Sequence, residues 1–130
     1  MIYLVIPCYN EQEVLEDSTK KLASLIGRMQ GEDMRILFSD DGSRDETWNI
    51  ICKLHHQYPF VEGIRLAHNE GHQKALWAGM EAAADRAEAI ISIDADLQDD
   101  IEVIPRMVAD FRQGADVVYG VRKERDTDSA

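Results

Sequence analysis

Short apolar runs alternate with amphipathic stretches along this chain, and that alternation restricts the possible folds more than any other feature. Three of the runs are nearly continuous in Ile, Val and Leu, which is typical of strands buried on both faces of a parallel sheet. The expected strands are Ile2–Ile6, Arg35–Ser39, Val61–Leu66, Ala89–Ile93 and Ala115–Val121.

The stretches between these runs have the periodicity of helices that bury one face. Ser43 and Glu46 show capping-box spacing, which predicts that a helix starts just after them. Repeated strand–helix units joined by right-handed crossovers predict an α/β protein with a doubly wound, mainly parallel sheet. The expected helices are Glu11–Met29, Thr47–Tyr58, Gln73–Arg86 and Ile101–Phe111.

Length and charge limit the classes of function. The chain has 130 residues and no repeat or Gly/Ser linker, so we expect one domain over residues 1–130. Its net charge of -11 argues against a nucleic-acid partner, which needs a basic surface. An acidic protein can still bind a phosphate-bearing ligand where a divalent cation supplies positive charge.

Cysteine usage and hydropathy bear on location. Cys8 and Cys52 are the only cysteines and form no CxxC motif, so we expect reduced thiols in the cytoplasm. No signal peptide is recognisable, and no apolar run approaches the roughly 20 residues of a membrane helix. The sequence itself therefore predicts a soluble chain.

Polar residues follow every expected strand at its carboxyl end. Ligands of open α/β sheets bind outside these ends, near the point where the strand order reverses. The segments concerned are Pro7-Cys8-Tyr9-Asn10-Glu11, Asp40-Asp41-Gly42-Ser43, His68 to Lys74, Asp94 to Gln98, and Gly120-Val121-Arg122.

Asp94-Ala95-Asp96 is the most informative of these segments. In an extended chain, residues two apart point to the same side, so both carboxylates would face one point above the sheet. Oxygen ligands of this kind favour Mg²⁺ or Mn²⁺, and Gln98 could add an amide oxygen. The alternative is a solvated loop before a helix, although Asp99 and Asp100 suit that capping role better.

The other segments are ambiguous by themselves. Asp41 could accept a hydrogen bond from a nucleobase, or the Asp and Ser residues could merely cap a helix. Tyr9 could be a platform for a base or a core aromatic, while Glu11 could serve only the helix dipole. Lys74 could meet a phosphate. Pro7 could simply end its strand, because proline cannot donate to a central ladder.

Several common nucleotide and hydrolase motifs are missing from the sequence. It contains no GxxxxGK[ST] loop, no GxGxxG after the first strand and no GxSxG elbow. A P-loop, a dinucleotide site of the usual kind and a serine hydrolase are therefore disfavoured.

Four motifs in order, VIPCYNE, FSDDGSRDET, NEGHQKALWAG and IDADLQDD, resemble glycosyltransferase family 2. The resemblance covers nearly the whole chain, and GHQ with DADLQ is similar to the polyprenyl-phosphate branch. That branch includes dolichyl-phosphate mannosyltransferases and bactoprenol glucosyltransferases. The resemblance implies the GT-A fold, a Rossmann-like three-layer α/β/α arrangement.

The resemblance also implies roles for individual positions. Side chains at the carboxyl ends of the first three expected strands would bind a nucleotide-sugar donor, and Arg122 would contact its phosphates. Asp94 and Asp96 would form the catalytic pair that holds Mg²⁺ or Mn²⁺, assisted by Gln98. The donor-binding residues would be Pro7, Tyr9, Asn10, Glu11, Asp41, Lys74 and Arg122.

For the reaction, the resemblance implies transfer of a sugar from a UDP- or GDP-sugar, usually with inversion, and a polyprenyl phosphate as the acceptor. The family's catalytic domain continues beyond this length and builds the acceptor site there. We therefore expect these 130 residues alone to bind donor weakly and to transfer little sugar. A full-length protein would be membrane-associated at the cytoplasmic face.

Two other functions remain open at this point. A nucleotidyltransferase acting on sugar phosphates also places carboxylates and a metal at strand ends, although PCYNE is not its Gly-rich basic loop. A non-catalytic nucleotide-sugar-binding module is the second alternative. An open sheet edge could pair two copies of the chain, so a homo-oligomer is a further expectation.

Overall fold

The computed structural model describes residues 1–98 and 100–114, which fall into two compact units. The first unit, Met1–Asp96, contains all the described strands. Its elements are β1 (Ile2–Cys8), α1 (Leu15–Arg28), β2 (Met34–Asp40), α2 (Thr47–Gln57), β3 (Val61–Arg65), α3 (His72–Ala84) and β4 (Ala89–Ser92).

The second unit begins at Leu97. It contains a 3-10 helix, Ile101–Val103, that continues into α4, Ile104–Arg112. The Asp100 carboxylate accepts a hydrogen bond from the Glu102 amide at 3.1 Å, so Asp100 caps this helix as its position predicts. The expected strand Ala115–Val121 and Arg122 lie outside the described residues.

The sheet has the order β3-β2-β1-β4, and its strands are parallel. This confirms the predicted α/β fold with a parallel sheet. The chain first moves outward from β1 to β3, and α3 then carries it back across the sheet to β4 on the other side of β1. The strand order therefore reverses between β1 and β4, which is where such sheets bind ligands.

Helices cover both faces of the sheet. The Cβ of an alanine at Gly63 would lie 2.5 Å from Cγ2 of Ile51, so α2 packs closely on that face of β3. Likewise, a Cβ at Gly79 would lie 2.6 Å from Cγ1 of Val5, which places α3 against the opposite face. A 2.9 Å ion pair between Lys53 and Glu16 ties α1 to α2 on the first face.

β1 is the centre of the hydrophobic core. All seven of its residues are buried, because it has a strand on each side and helices on both faces. Tyr3 and Val5 pack with Leu37 and Ala83 under α3. Burial of such side chains contributes about 1.5–3 kcal/mol each, so β1 is a main source of stability.

β1 runs through Pro7 to Cys8 instead of ending before the proline. Pro7 pairs in register with Ser39 of β2, while β4 stops at Ser92, opposite Val5. The backbone of Val5 faces β4, since its carbonyl accepts a hydrogen bond from Ile93. Pro7, two residues on, faces the same side beyond the end of β4, so its missing N–H interrupts no ladder there.

The predicted start of α1 was wrong, whereas α2 begins at Thr47 as predicted but without the expected capping box. α1 begins at Leu15, not Glu11, because the Glu11 amide donates to the Thr47 hydroxyl at 2.8 Å and is held in a loop. The capping box at the start of α2 does not form, and the Ser43 hydroxyl donates to Asp40 instead. None of the described helices is long and apolar enough to span a membrane.

Candidate functional site

The loops after β1, β2, β3 and β4 meet at one edge of the first unit, as parallel strands require. Pro7 is buried at the end of β1, whereas Tyr9 beside it is 40% exposed. Asn10 adopts a left-handed conformation with φ of 52°, and Glu11 is half-buried. This loop presents an aromatic ring and a carboxylate next to the point where the strand order reverses.

Hydrogen bonds join the loop after β1 to the loop after β2. The Asn10 amide donates to Oγ of Ser43 at 2.9 Å, and the Arg44 amide donates to Oδ1 of Asn10 at 3.0 Å. The Glu11 amide bonds the hydroxyl of Thr47, which is fully buried. These contacts hold the two loops together before any ligand binds.

Asp40 and Asp41 are both buried but have different partners. Oδ1 of Asp40 accepts hydrogen bonds from the amide and hydroxyl of Ser43. Within the described part of the chain, its Oδ2 accepts no hydrogen bond, and the nearest cation is Arg65, whose Nε lies 3.7 Å away. Arg65 also lies 5.7 Å from the ring centroid of Trp48.

Asp41 ties the loop after β2 to the loop before α3. Its Oδ1 accepts from the Glu70 amide at 2.7 Å, and its Oδ2 accepts from the Gly71 amide at 3.1 Å. The predicted nucleobase-binding residue therefore already organises the loop beside it. Each carboxylate oxygen has a second lone pair, so an additional N–H donor remains chemically acceptable.

The acidic cluster, formed by Glu11, Asp45, Asp94 and Asp96, lies at the same edge. Burial raises the pKa of Glu11, and the negative charges of Asp96, Asp45 and Asp94 raise it further. Asp94 and Asp96 therefore lie near enough to Glu11 for their charges to act on its carboxyl group. This convergence of acids is the main electrostatic feature of the site.

Asp94-Ala95-Asp96 is not an extended segment, contrary to the premise of the sequence argument. Ala95 and Asp96 form a turn, in which Asp94 is half-buried and Asp96 exposed. The Ser18 hydroxyl of α1 donates to the Ala95 carbonyl at 2.6 Å and fixes this turn. Both carboxylates still act on Glu11, but the turn places them there and not the alternation of a strand.

The loop between β3 and α3 provides charged side chains at its exposed surface. Lys74 is 72% exposed and lies 3.6 Å from Glu70, which also pairs with His68. Gly71 has a φ of 106°, and no other atom lies within 4 Å of the position where a Cβ would project. The position beside Gly71 is therefore open, and the expected contact of Lys74 with a phosphate stays a prediction.

Two other predicted site residues are not among the described residues of the first unit. Gln98 is exposed at the start of the second unit, and Arg122 lies outside the described residues. In residues 1–98 and 100–114, no group of three or more His, Cys, Asp or Glu side chains is arranged to hold a metal ion.

Sequence reasoning missed the contributions of Ser43, Thr47 and Ser18, because each bonds a partner far away in the chain. The sequence pattern predicts for Ser43 and Thr47 only a place at the start of a helix. One local signal was available for Asn10, since Asn is enriched among residues with left-handed backbone conformations. Its partners, however, could not be read from the sequence.

Comparison with known proteins identifies the family. The family model described as Glycosyl transferase family 2 matches residues 3–130. The chain belongs to this family. The motif order noted in the sequence is thus confirmed by a match that includes all four loops of the site.

Two curated relatives match the chain over nearly its full length. It is 43% identical over 134 residues to the uncharacterized glycosyltransferase YkoT of Bacillus subtilis, covering 99% of this chain and 40% of that protein. It is 39% identical over 127 residues to the prophage bactoprenol glucosyl transferase homolog of Escherichia coli, covering 98% and 40%. This family 2 chain thus spans about two fifths of the length of these relatives.

A solved structure supports the fold assignment. The mannosyltransferase PcManGT of Pyrobaculum calidifontis, in complex with GDP-Man and Mn²⁺, superposes with a TM-score of 0.64 at 18% identity. The match covers 82% of this chain and 31% of that one. At this identity the likeness concerns the fold, and it confirms the GT-A type of Rossmann-like architecture for the family 2 chain.

Proposed function

We propose that this chain forms the donor-binding part of a glycosyltransferase that moves a sugar from a UDP- or GDP-sugar to a polyprenyl phosphate with inversion. The observation that carries the proposal is that the loop after β4, with Asp94 and Asp96, and the loop after β1, with Glu11 and the exposed Tyr9, flank the switch point of the sheet, where the charges of the aspartates act on Glu11. The two aspartates suit a divalent cation that is bound together with a diphosphate, and the aromatic ring suits a nucleoside.

The acids fit Mg²⁺ or Mn²⁺. Burial first, and then repulsion from the neighbouring acids, raises the pKa of Glu11, and a cation would relieve that repulsion. Magnesium is commonly held by one or two carboxylates plus substrate phosphates, so a cage of three protein ligands is not required. Asp94 and Asp96 would hold the ion, with Gln98 as a further ligand suggested by the family resemblance.

The chemistry of donor activation follows from that arrangement. A divalent cation held by Asp94 and Asp96 would supply Lewis acidity for departure of the nucleoside diphosphate. Lys74 and Arg122 would add positive charge for the phosphates. Because the chain carries a net charge of -11, such local cations are needed for an anionic donor to approach.

The nucleoside would lie over the loops after β1 and β2. Tyr9 is exposed enough to stack on a base or ribose, above the buried Pro7. Asp41 would accept the N–H of the base through its remaining lone pairs. Asn10 and Glu11 complete the lining of this pocket.

The acceptor assignment relies on the relatives. One of them is described as a bactoprenol glucosyl transferase homolog, and bactoprenol is a polyprenol. A phosphate acceptor already carries about -1.5 to -2 charges at pH 7, so it needs no general base to become nucleophilic. This agrees with a site whose acids are grouped around a metal position.

Calorimetric titration with UDP-glucose and GDP-mannose tests the donor assignment. We expect binding in the presence of Mn²⁺, loss of binding with EDTA, and a Kd raised about 30-fold or more by Asp96→Ala. Asp85→Ala is the matched control, because Asp85 follows α3 at the opposite end of the sheet and its loss removes the same charge.

Three results would contradict the proposal. The folded protein could bind neither sugar nucleotide, bind equally well in EDTA, or lose affinity equally in the Asp85 and Asp96 variants. Binding of a nucleoside triphosphate together with a sugar phosphate, in place of a sugar nucleotide, would favour a nucleotidyltransferase. Transfer of sugar to a polyprenyl phosphate by a longer chain tests the acceptor.

A further inference from the structure

Asn10 lies between Tyr9 and Glu11, the two side chains of the loop after β1 that the proposed function uses most. Tyr9 precedes it and is 40% exposed. Glu11 follows it, and burial and the negative charges of Asp96 and Asp94 raise the pKa of Glu11. The φ of Asn10, 52°, lies in the left-handed region. Left-handed conformations are uncommon outside glycine, and Asn is among the residues that adopt them most readily.

The backbone amide and the side-chain oxygen of Asn10 both bond the loop after β2. Its amide donates to Oγ of Ser43 at 2.9 Å, and its Oδ1 accepts from the Arg44 amide at 3.0 Å. The side-chain oxygen that would be expected to meet a ligand is therefore already in use by the neighbouring loop.

Ser43 connects this contact to the interior. It is 4% exposed, and its hydroxyl donates to Oδ1 of the fully buried Asp40. Because the hydroxyl proton is committed to Asp40, a lone pair of Oγ faces the Asn10 amide. The loop after β1 is thus anchored on the last residue of β2 through one serine.

We propose that Asn10 and Ser43 are positioning residues for the donor: together they fix the loop so that Tyr9 faces the nucleoside and Glu11 faces Asp94 and Asp96. This inference rests on the proposed function. It revises the expected direct role of Asn10, whose contribution to donor affinity is made through the backbone of its neighbours.

Amide hydrogen exchange tests the anchoring without any ligand. In the wild type, the amides of Asn10 and Glu11 should be protected, because both donate to buried hydroxyls. Ser43→Ala should raise the exchange rate of these two amides about tenfold, and Ser43→Thr, which retains the hydroxyl, should restore protection. Unchanged exchange in a folded Ser43→Ala protein would overturn the inference.

Donor affinity tests the functional consequence. Asn10→Ala loses both the acceptor and the tolerance for positive φ, so its Kd for the sugar nucleotide should rise about tenfold. Asn10→Gly keeps the backbone conformation, and its Kd should rise only about threefold. Ser43→Ala should weaken binding to a similar degree as Asn10→Ala, and Ser43→Thr should bind as the wild type does.

The outcomes separate this inference from the donor assignment. Suppose that Asn10→Ala and Asn10→Gly lose donor affinity equally while Ser43→Ala keeps it. The side-chain carboxamide of Asn10 would then touch the donor directly, and the positioning role would be rejected. If the wild type binds neither UDP-glucose nor GDP-mannose, the proposed function fails, while hydrogen exchange still decides whether Ser43 orders the loop. Because Asn10 is exposed, its variants remain informative if Ser43→Ala does not fold.

Discussion

Gly42 and His68 are in direct backbone contact: a Cβ on Gly42 would lie 2.5 Å from the carbonyl carbon of His68. Gly42 also has a φ of 69°, which an L side chain rarely adopts. The loops after β2 and β3 can therefore approach each other only because this residue has no side chain. The same contact brings the Glu70 and Gly71 amides to Asp41.

Gly42→Ala should destabilise the protein by about 2–4 kcal/mol, because left-handed strain and steric overlap with backbone act together. Gly31→Ala is the control. Gly31 has a φ of 90° but no atom within 4 Å of the Cβ position, so only the strain of about 1–2 kcal/mol applies. Urea unfolding measures both, and equal losses would show that the contact with His68 has no energetic role.

Alanine substitution should lower the stability of the protein at Gly79 and raise it at Gly27, although both glycines lie in helices. A Cβ at Gly79 would meet Val5 at 2.6 Å, so Gly79→Ala should push α3 from the sheet and cost about 1–3 kcal/mol. Gly27 lies in α1 with nothing within 4 Å, and Gly27→Ala should stabilise by about 0.5–1 kcal/mol through helix propensity. Thermal unfolding of the two variants checks the sign of each change.

Glu11 should make stability depend on pH. Its pKa in the folded protein is raised, so its contribution is fully present below the ordinary Glu pKa of about 4.3 and is lost as the pH rises through the folded value. Glu11→Gln should therefore gain stability relative to the wild type as pH rises from 4 to 8, measured by urea unfolding. In an Asp96→Asn background this gain should shrink, since Asp96 has the largest effect of any charge on the pKa of Glu11. A stability difference between wild type and Glu11→Gln that does not change with pH would contradict a raised pKa of Glu11.

Tyr3 and Glu62 form a polar contact beneath α3 that should be measurable. The Tyr3 hydroxyl donates to Oε2 of Glu62 at 3.1 Å, and Nη1 of Arg86 lies 3.1 Å from Oε1 of the same carboxylate. Tyr3→Phe should cost about 1–2 kcal/mol, since it removes a hydrogen bond to a charged group. In a Glu62→Gln background the cost should fall; an unchanged cost would assign the effect to ring packing instead.

The sequence by itself determined the α/β class, the parallel sheet and the edge at which the four motifs lie. These follow from short-range physics: continuous apolar runs require strands buried on both faces, and amphipathic spacing requires helices that cover them. The ends of parallel strands then share an edge whatever the details of packing. The four motifs were placed correctly for this reason.

Tertiary structure alone decided how the residues of that edge are used. Ser43 bonds Asn10 across 33 positions of sequence, and Asp41 bonds the amides of Glu70 and Gly71. Pro7 is tolerated inside β1 because β4 ends early, and Asp94 and Asp96 converge on Glu11 through a turn that Ser18 holds. Local sequence preferences do not predict such contacts, since each depends on a partner that only the packed sheet brings within hydrogen-bonding distance.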